Sequence, residues 1–124
     1  TYGHIAIVPA SIHTTKSFAY NHPALVVAFL AAHLDKAELI KNDPAQAAQI
    51  ASQAAAKKGV EVSAEAFEKV FERIDFRIDF NETVIDEIYA TADFLKEQGK
   101  INTVPELAWD ASFLEAAEAL HRLG

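Results

Sequence analysis

A short and almost wholly apolar run near the start of the chain limits the possible folds more than any other feature. Residues 4–8 include Ile5, Ile7 and Val8, and Pro9 closes the run. This composition predicts a strand that is buried on both faces. Residues 75–80 alternate charged and apolar side chains, which predicts a short strand or an extended connector. Because two short strands do not form a stable covered sheet, we expect residues 5–8 to pair with strands outside this sequence.

Most of the remaining chain is predicted to be helical. Alanine, the best helix former, occupies 24 of the 124 positions. Apolar residues recur every three or four positions after each predicted start, and glycine follows two of the predicted helices. A short helix is expected at residues 17–20, and longer helices are expected to start near Pro23, Pro44, Ser63, Asn81 and Asp110.

Length and charge restrict the class of protein. A chain of 124 residues, 51% of them hydrophobic and 23% charged, is typical of one globular domain, so we expect residues 1–124 to have no internal boundary. The formal net charge of −7 argues against nucleic acid or an anionic membrane as a partner. The longest mainly apolar run, residues 24–32, is shorter than the roughly 20 residues that a membrane-spanning helix requires.

The sequence lacks the residue patterns of common catalytic and metal sites. It contains no cysteine, and its five histidines lack the one-turn spacing of a helical metal motif. We therefore expect no metal, no cofactor and no enzymatic activity. His33 falls on the apolar stripe of a predicted helix. A histidine in such a position is commonly partly buried and makes one hydrogen bond.

Two places carry side chains that can hold a ligand. Ser11, His13 and Thr14 follow the predicted strand, where open α/β sheets place ligand contacts. The alternative is that hydroxyl groups of this segment cap the short helix. Arg77 can clamp a carboxylate or a sulfonate through its planar guanidinium, but an arginine flanked by acids such as Asp75 and Asp79 more often forms a solvated ion pair.

Four segments, in order, resemble one family. Residues 21–33 (NHPALVVAFLAAH) are similar to a helix of the substrate-binding proteins of ABC importers for nitrate, taurine and aliphatic sulfonates. Residues 41–48 (KNDPAQAA) resemble that family's next helix start, and residues 91–101 (TADFLKEQGKI) resemble its "tAdflkeqGlI" helix and turn. Residues 104–114 (VPELAWDASFL) are similar to its closing segment.

The resemblance implies an α/β fold, namely the mostly helical C-terminal part of a type II periplasmic-binding-protein fold with one or two short strands. It implies a protein that binds a small polar or anionic solute, such as a sulfonate, taurine, nitrate or a pyrimidine, between two lobes. The implied partners are the ABC permease subunits and the remainder of the binding protein, and the implied location is periplasmic or extracytoplasmic. No ligand contact is carried over, because the family's contacts lie mostly in other segments.

Two other functions stay open at this stage. The chain can be a free-standing helical module whose apolar faces bury against a partner protein. The same broad fold also includes enzymes of thiamine-pyrimidine synthesis, so a shared fold does not determine the function.

Overall fold

A computed structural model describes residues 10–124, which form six helices and no strand. The helices are α1 (Lys16–Asn21), α2 (Pro23–Asn42), α3 (Pro44–Lys57), α4 (Ala64–Phe71), α5 (Glu82–Glu97) and α6 (Ser112–Leu123). The expected α/β class is therefore wrong for the described residues, whose regular structure is all helical. The predicted strand at residues 5–8 lies outside them.

The alternating segment at residues 75–80 is a connector between α4 and α5, not a strand. Its apolar members Phe76, Ile78 and Phe80 are half-buried and its charged members are exposed, as the alternation predicts. However, the Asp75 carboxylate accepts a hydrogen bond from the Arg77 amide at 3.0 Å. In this local turn the Arg77 amide is already hydrogen-bonded, whereas in a strand it could bond to a neighbouring strand. An alternating sequence does not by itself supply such a neighbour.

Short polar side chains start three of the helices as predicted. Asp43 accepts a hydrogen bond from the Gln46 amide, Ser63 from the Ala66 amide and Asn81 from the Val84 amide, at 3.0, 3.2 and 3.1 Å. Each bond satisfies an amide that has no partner within its helix. The helices α2 and α3 also begin with proline, whose fixed φ suits the first helical position.

The last helix begins later than predicted. It starts at Ser112, two positions after Asp110. The Asp110 carboxylate accepts a hydrogen bond from the Tyr20 hydroxyl at 3.1 Å. A contact with a residue 90 positions away is outside what a local capping pattern can predict.

Glycine ends two helical segments where the backbone turns left-handed. Gly59 has φ +78° and Gly99 has φ +67°. Residues with a Cβ rarely adopt these angles, so glycine is the favoured residue at both positions.

The chain divides into two compact units. Of the described residues, 10–21 and Asp79–Ala111 form the first, which holds α1 and α5. His22–Ile78 and Ser112–Gly124 form the second, in which α2 packs against α3 and α6, and α3 packs against α4. Within the second unit, the Ser52 hydroxyl donates a 2.6 Å hydrogen bond to the Val62 carbonyl and ties α3 to the start of α4.

Alanine supplies all of the fully buried side chains among residues 10–124. They are Ala19, Ala31, Ala47, Ala48 and Ala117, and the last two have no exposed surface at all. Small side chains let helices approach closely, but each buries little apolar surface. None of the described helices is long and apolar enough to span a membrane.

Candidate functional site

Ser11, His13 and Thr14 lie in an exposed segment that precedes α1 in the first unit. The Ser11 hydroxyl oxygen is 2.8 Å from Nε2 of His13, so these two side chains form a hydrogen-bonded pair. The neighbouring Thr15 caps α1, because its hydroxyl oxygen accepts a hydrogen bond from the Phe18 amide at 3.1 Å. The segment therefore combines a helix cap with polar groups that stay accessible to a ligand.

Arg77 belongs to the second unit and forms an ion pair with Asp75. Its Nη2 and Nε atoms lie 2.7 and 2.8 Å from Oδ2 of Asp75. Hydrogen bonds from Arg77 hold the pKa of the Asp75 carboxyl below its usual value. The two side chains are 77% and 59% exposed, so water screens their attraction. The contact between Arg77 and Asp75 therefore has the geometry of a solvated ion pair, which is one of the two interpretations of Arg77 that the sequence allowed.

A polar cluster that the sequence did not predict joins α2 to α6. Nδ1 of His121 lies 2.5 Å from Oδ1 of Asp35, and Nε2 of His121 lies 3.0 Å from Oε2 of Glu38. Asp35 and Glu38 are three positions apart and thus on one face of α2. That spacing was visible in the sequence, but the approach of His121, 86 positions from Asp35, was not.

The same two helices border an open groove of about 720 Å³. Its α2 side consists of Ala28, Ala31 and Ala32 with Asp35 and Glu38, and its α6 side includes Leu120, His121 and Leu123. Within residues 10–124 there is no group of three or more side chains arranged to hold a metal ion. The groove therefore has an apolar floor and, at one end, the polar cluster of His121, Asp35 and Glu38. It offers no metal site.

A second cluster surrounds His33 on α2. The Lys36 ammonium lies 3.0 Å from Nδ1 of His33, and the Phe29 ring lies 4.7 Å from the His33 ring, centre to centre. Burial and the nearby Lys36 charge hold the pKa of His33 below its usual value of 6.5. His33 is partly buried and has a hydrogen-bond partner, as its place on the apolar stripe predicted.

Large apolar side chains remain exposed in both units. In the first unit these include Trp109, whose ring packs 5.4 Å from that of Phe80 and is still 52% exposed. In the second unit, Leu25 and Phe29 lie one turn apart on α2 and are 59% and 54% exposed. Further examples are Ile12, Phe18, Tyr20, Ile50, Val60, Val70, Ile74, Phe94, Leu120 and Leu123. Exposed apolar surface of this extent is typical of proteins that have a partner to cover it.

Comparison with known proteins identifies no relative of this chain. No protein-family model matches the chain, and no curated protein or solved structure is significantly similar to it.

Proposed function

We propose that the chain is a portion of the solute-binding component of an ABC importer, a non-enzymatic protein that binds a small polar or anionic solute. The observation that carries the proposal is the uncovered apolar surface of the helices. Only alanine side chains are fully buried within residues 10–124, while large side chains on α2, α3, α4, α5 and α6 stay exposed. The partner that covers them is the remainder of the binding protein.

The positions of the family-like segments support the proposal. Residues 21–33 supply the start and first half of α2, and residues 41–48 contain the Asp43 cap and Pro44 that separate α2 from α3. Residues 91–101 contain the end of α5 and the left-handed Gly99. The residues that carry the resemblance are thus the ones that start and end helices, and their order along the chain is that of the family.

The exposed pair of leucine and phenylalanine on α2 supports the need for a covering partner. Leu25 and Phe29 both fall inside the family-like segment at residues 21–33. Burying a side chain of this kind contributes about 1.5–3 kcal/mol to stability. While Leu25 and Phe29 stay exposed, α2 lacks much of this stabilisation. A partner surface that covers both side chains supplies it.

The proposed ligand contacts are Ser11, His13, Thr14 and Arg77. Their hydroxyl, imidazole and guanidinium groups are donors suited to the oxygens of a sulfonate, a nitrate or a carboxylate. All four side chains belong to exposed residues, so solvent reaches them. The permease subunits and a periplasmic or extracytoplasmic location belong to the same proposal.

Isothermal titration of the full-length binding protein tests the proposal. We expect binding to at least one of taurine, aliphatic sulfonates, nitrate and pyrimidines. We expect Arg77→Gln to weaken that binding and Arg73→Gln to leave it unchanged, because Arg73 is an exposed arginine that is not among the proposed contacts. The absence of binding to every one of these solutes contradicts the proposal.

A free-standing helical interaction module is the second candidate. The all-helical architecture of residues 10–124 favours it, since amphipathic helices with exposed apolar faces commonly bind other proteins. The mass of the native protein separates the two candidates. A species of 13.6 kDa, the mass of this chain, supports the module, whereas a substantially larger polypeptide supports the binding protein.

A further inference from the structure

A lysine of α2, Lys36, contacts the connector between α4 and α5. The Lys36 ammonium lies 5.7 Å from the centre of the Phe76 ring, which is a cation–π distance. The same ammonium lies 3.0 Å from Nδ1 of His33. Phe76 is half-buried and packs edge-on against Phe71 of α4, with ring centres 5.5 Å apart. We call His33, Lys36 and Phe76 the connector latch.

The hydrogen bond in the connector latch requires a neutral imidazole. An ammonium group only donates, so Nδ1 of His33 must accept and therefore carries no proton. A protonated imidazole has no acceptor atom, and its positive charge repels the Lys36 ammonium. Protonation of His33 thus removes the contact that positions Lys36 over the Phe76 ring.

Several charged groups lie on the elements around the latch, and α6 carries Glu115, Glu118 and Arg122 besides His121. On the connector, Asp75 and Arg77 pair with each other. On α6, His121 is paired with Asp35 and Glu38 of α2. The helix α3, which also packs against α2, has no titratable residue before Lys57. Among these groups, Lys36 is the charge that acts on His33.

We propose that the connector latch is a proton-sensitive device, in which neutral His33 holds Lys36 over Phe76 and protonated His33 releases the connector from α2. The proposal rests on the three side chains and does not depend on the proposed transport function. The lowered pKa of His33 agrees with it in direction, because a contact that requires the neutral imidazole opposes protonation.

Nuclear magnetic resonance of the whole 124-residue chain tests the proposal. Protons above an aromatic ring resonate upfield, so the ε-methylene of Lys36 reports its position over Phe76. We expect an upfield shift at about pH 7.5 that decreases on acidification to about pH 5, because the lowered pKa of His33 lies below its ordinary value near 6.5. Phe76→Leu removes the ring, and we expect it to abolish the upfield shift at both pH values.

Two glutamine variants identify the responsible histidine. In His33→Gln the amide oxygen still accepts a hydrogen bond from Lys36 and does not titrate, so we expect the upfield shift to persist at both pH values. In His13→Gln, which alters a histidine of the first unit, we expect the normal pH response. An equal wild-type shift at both pH values, a pH response that survives in His33→Gln, or no upfield shift at about pH 7.5 overturns the proposal.

Discussion

Replacement of Ala117 by leucine tests how closely α6 packs against α2. Ala117 is the one buried residue of α6 and has no exposed surface, and Ala31 is the one buried residue of α2. Leucine adds three carbon atoms at a position that has no exposed surface. Extra atoms in a well-packed interior typically cost about 1–3 kcal/mol. We therefore expect Ala117→Leu to lower the free energy of unfolding by about this amount.

Ala116 provides a matched control on the same helix. It precedes Ala117 and is exposed, so leucine at this position extends into solvent. Surface substitutions usually change stability by less than about 0.5 kcal/mol. Since alanine and leucine have similar helix propensities, the comparison isolates packing from the intrinsic preference for helix.

Urea unfolding followed by circular dichroism measures the difference between the two variants. With a slope of about 1–3 kcal/mol per molar urea, we expect the midpoint of Ala117→Leu to fall below that of Ala116→Leu by roughly 1 M. Equal midpoints would refute the reasoning, because they would mean that α6 does not pack against α2 through Ala117.

Two further changes test a helix cap and a partly buried histidine. Asp43→Ala removes the acceptor for the Gln46 amide, and we expect a loss of about 0.5–2 kcal/mol in urea unfolding, whereas Asp43→Asn, which keeps an acceptor oxygen, costs less. Because the pKa of His33 is lowered in the folded chain, the unfolded chain binds a proton more readily. The stabilisation from neutral His33 is thus present above about pH 6.5 and is lost as the pH falls through the folded-state pKa. We expect a smaller acid-induced drop of the midpoint in His33→Gln, and an unchanged drop would contradict the assignment.

The helix starts could be predicted because they depend on neighbouring residues. The Asp43, Ser63 and Asn81 caps each bond an amide three positions later, and proline fixes its own φ. The left-handed Gly59 and Gly99 follow the same logic, since a missing Cβ is a property of the residue itself. These features require no knowledge of how the helices pack.

The fold class could not be predicted in the same way. The alternation at residues 75–80 correctly separates half-buried from exposed side chains, but a strand also requires a neighbour to accept its backbone hydrogen bonds. The structure instead gives the connector a turn at Asp75 and a contact between Phe76 and Lys36. The alternating pattern gives the same two faces in a strand and in an extended connector, so it does not distinguish the two structures.

The candidate sites also differ in whether the local sequence could predict them. Ser11, His13 and Thr14 were selected as neighbouring donors after a predicted strand, and Arg77 was selected for its guanidinium between two acidic residues. The contacts at Ser11 and Arg77 are with side chains two positions away. The His121 cluster joins residues 86 positions apart, and no local pattern marks it. Its contacts exist only because α6 packs against α2.

The sequence by itself determined the starts of α3, α4 and α5 and the glycines that end two helical segments, because capping and φ preference act over a few residues. The tertiary structure decided which helices pack together, that alanine fills the space between them, and that Leu25 and Phe29 remain exposed. These outcomes depend on the shapes of surfaces brought together from distant parts of the chain, and a local pattern does not encode that shape.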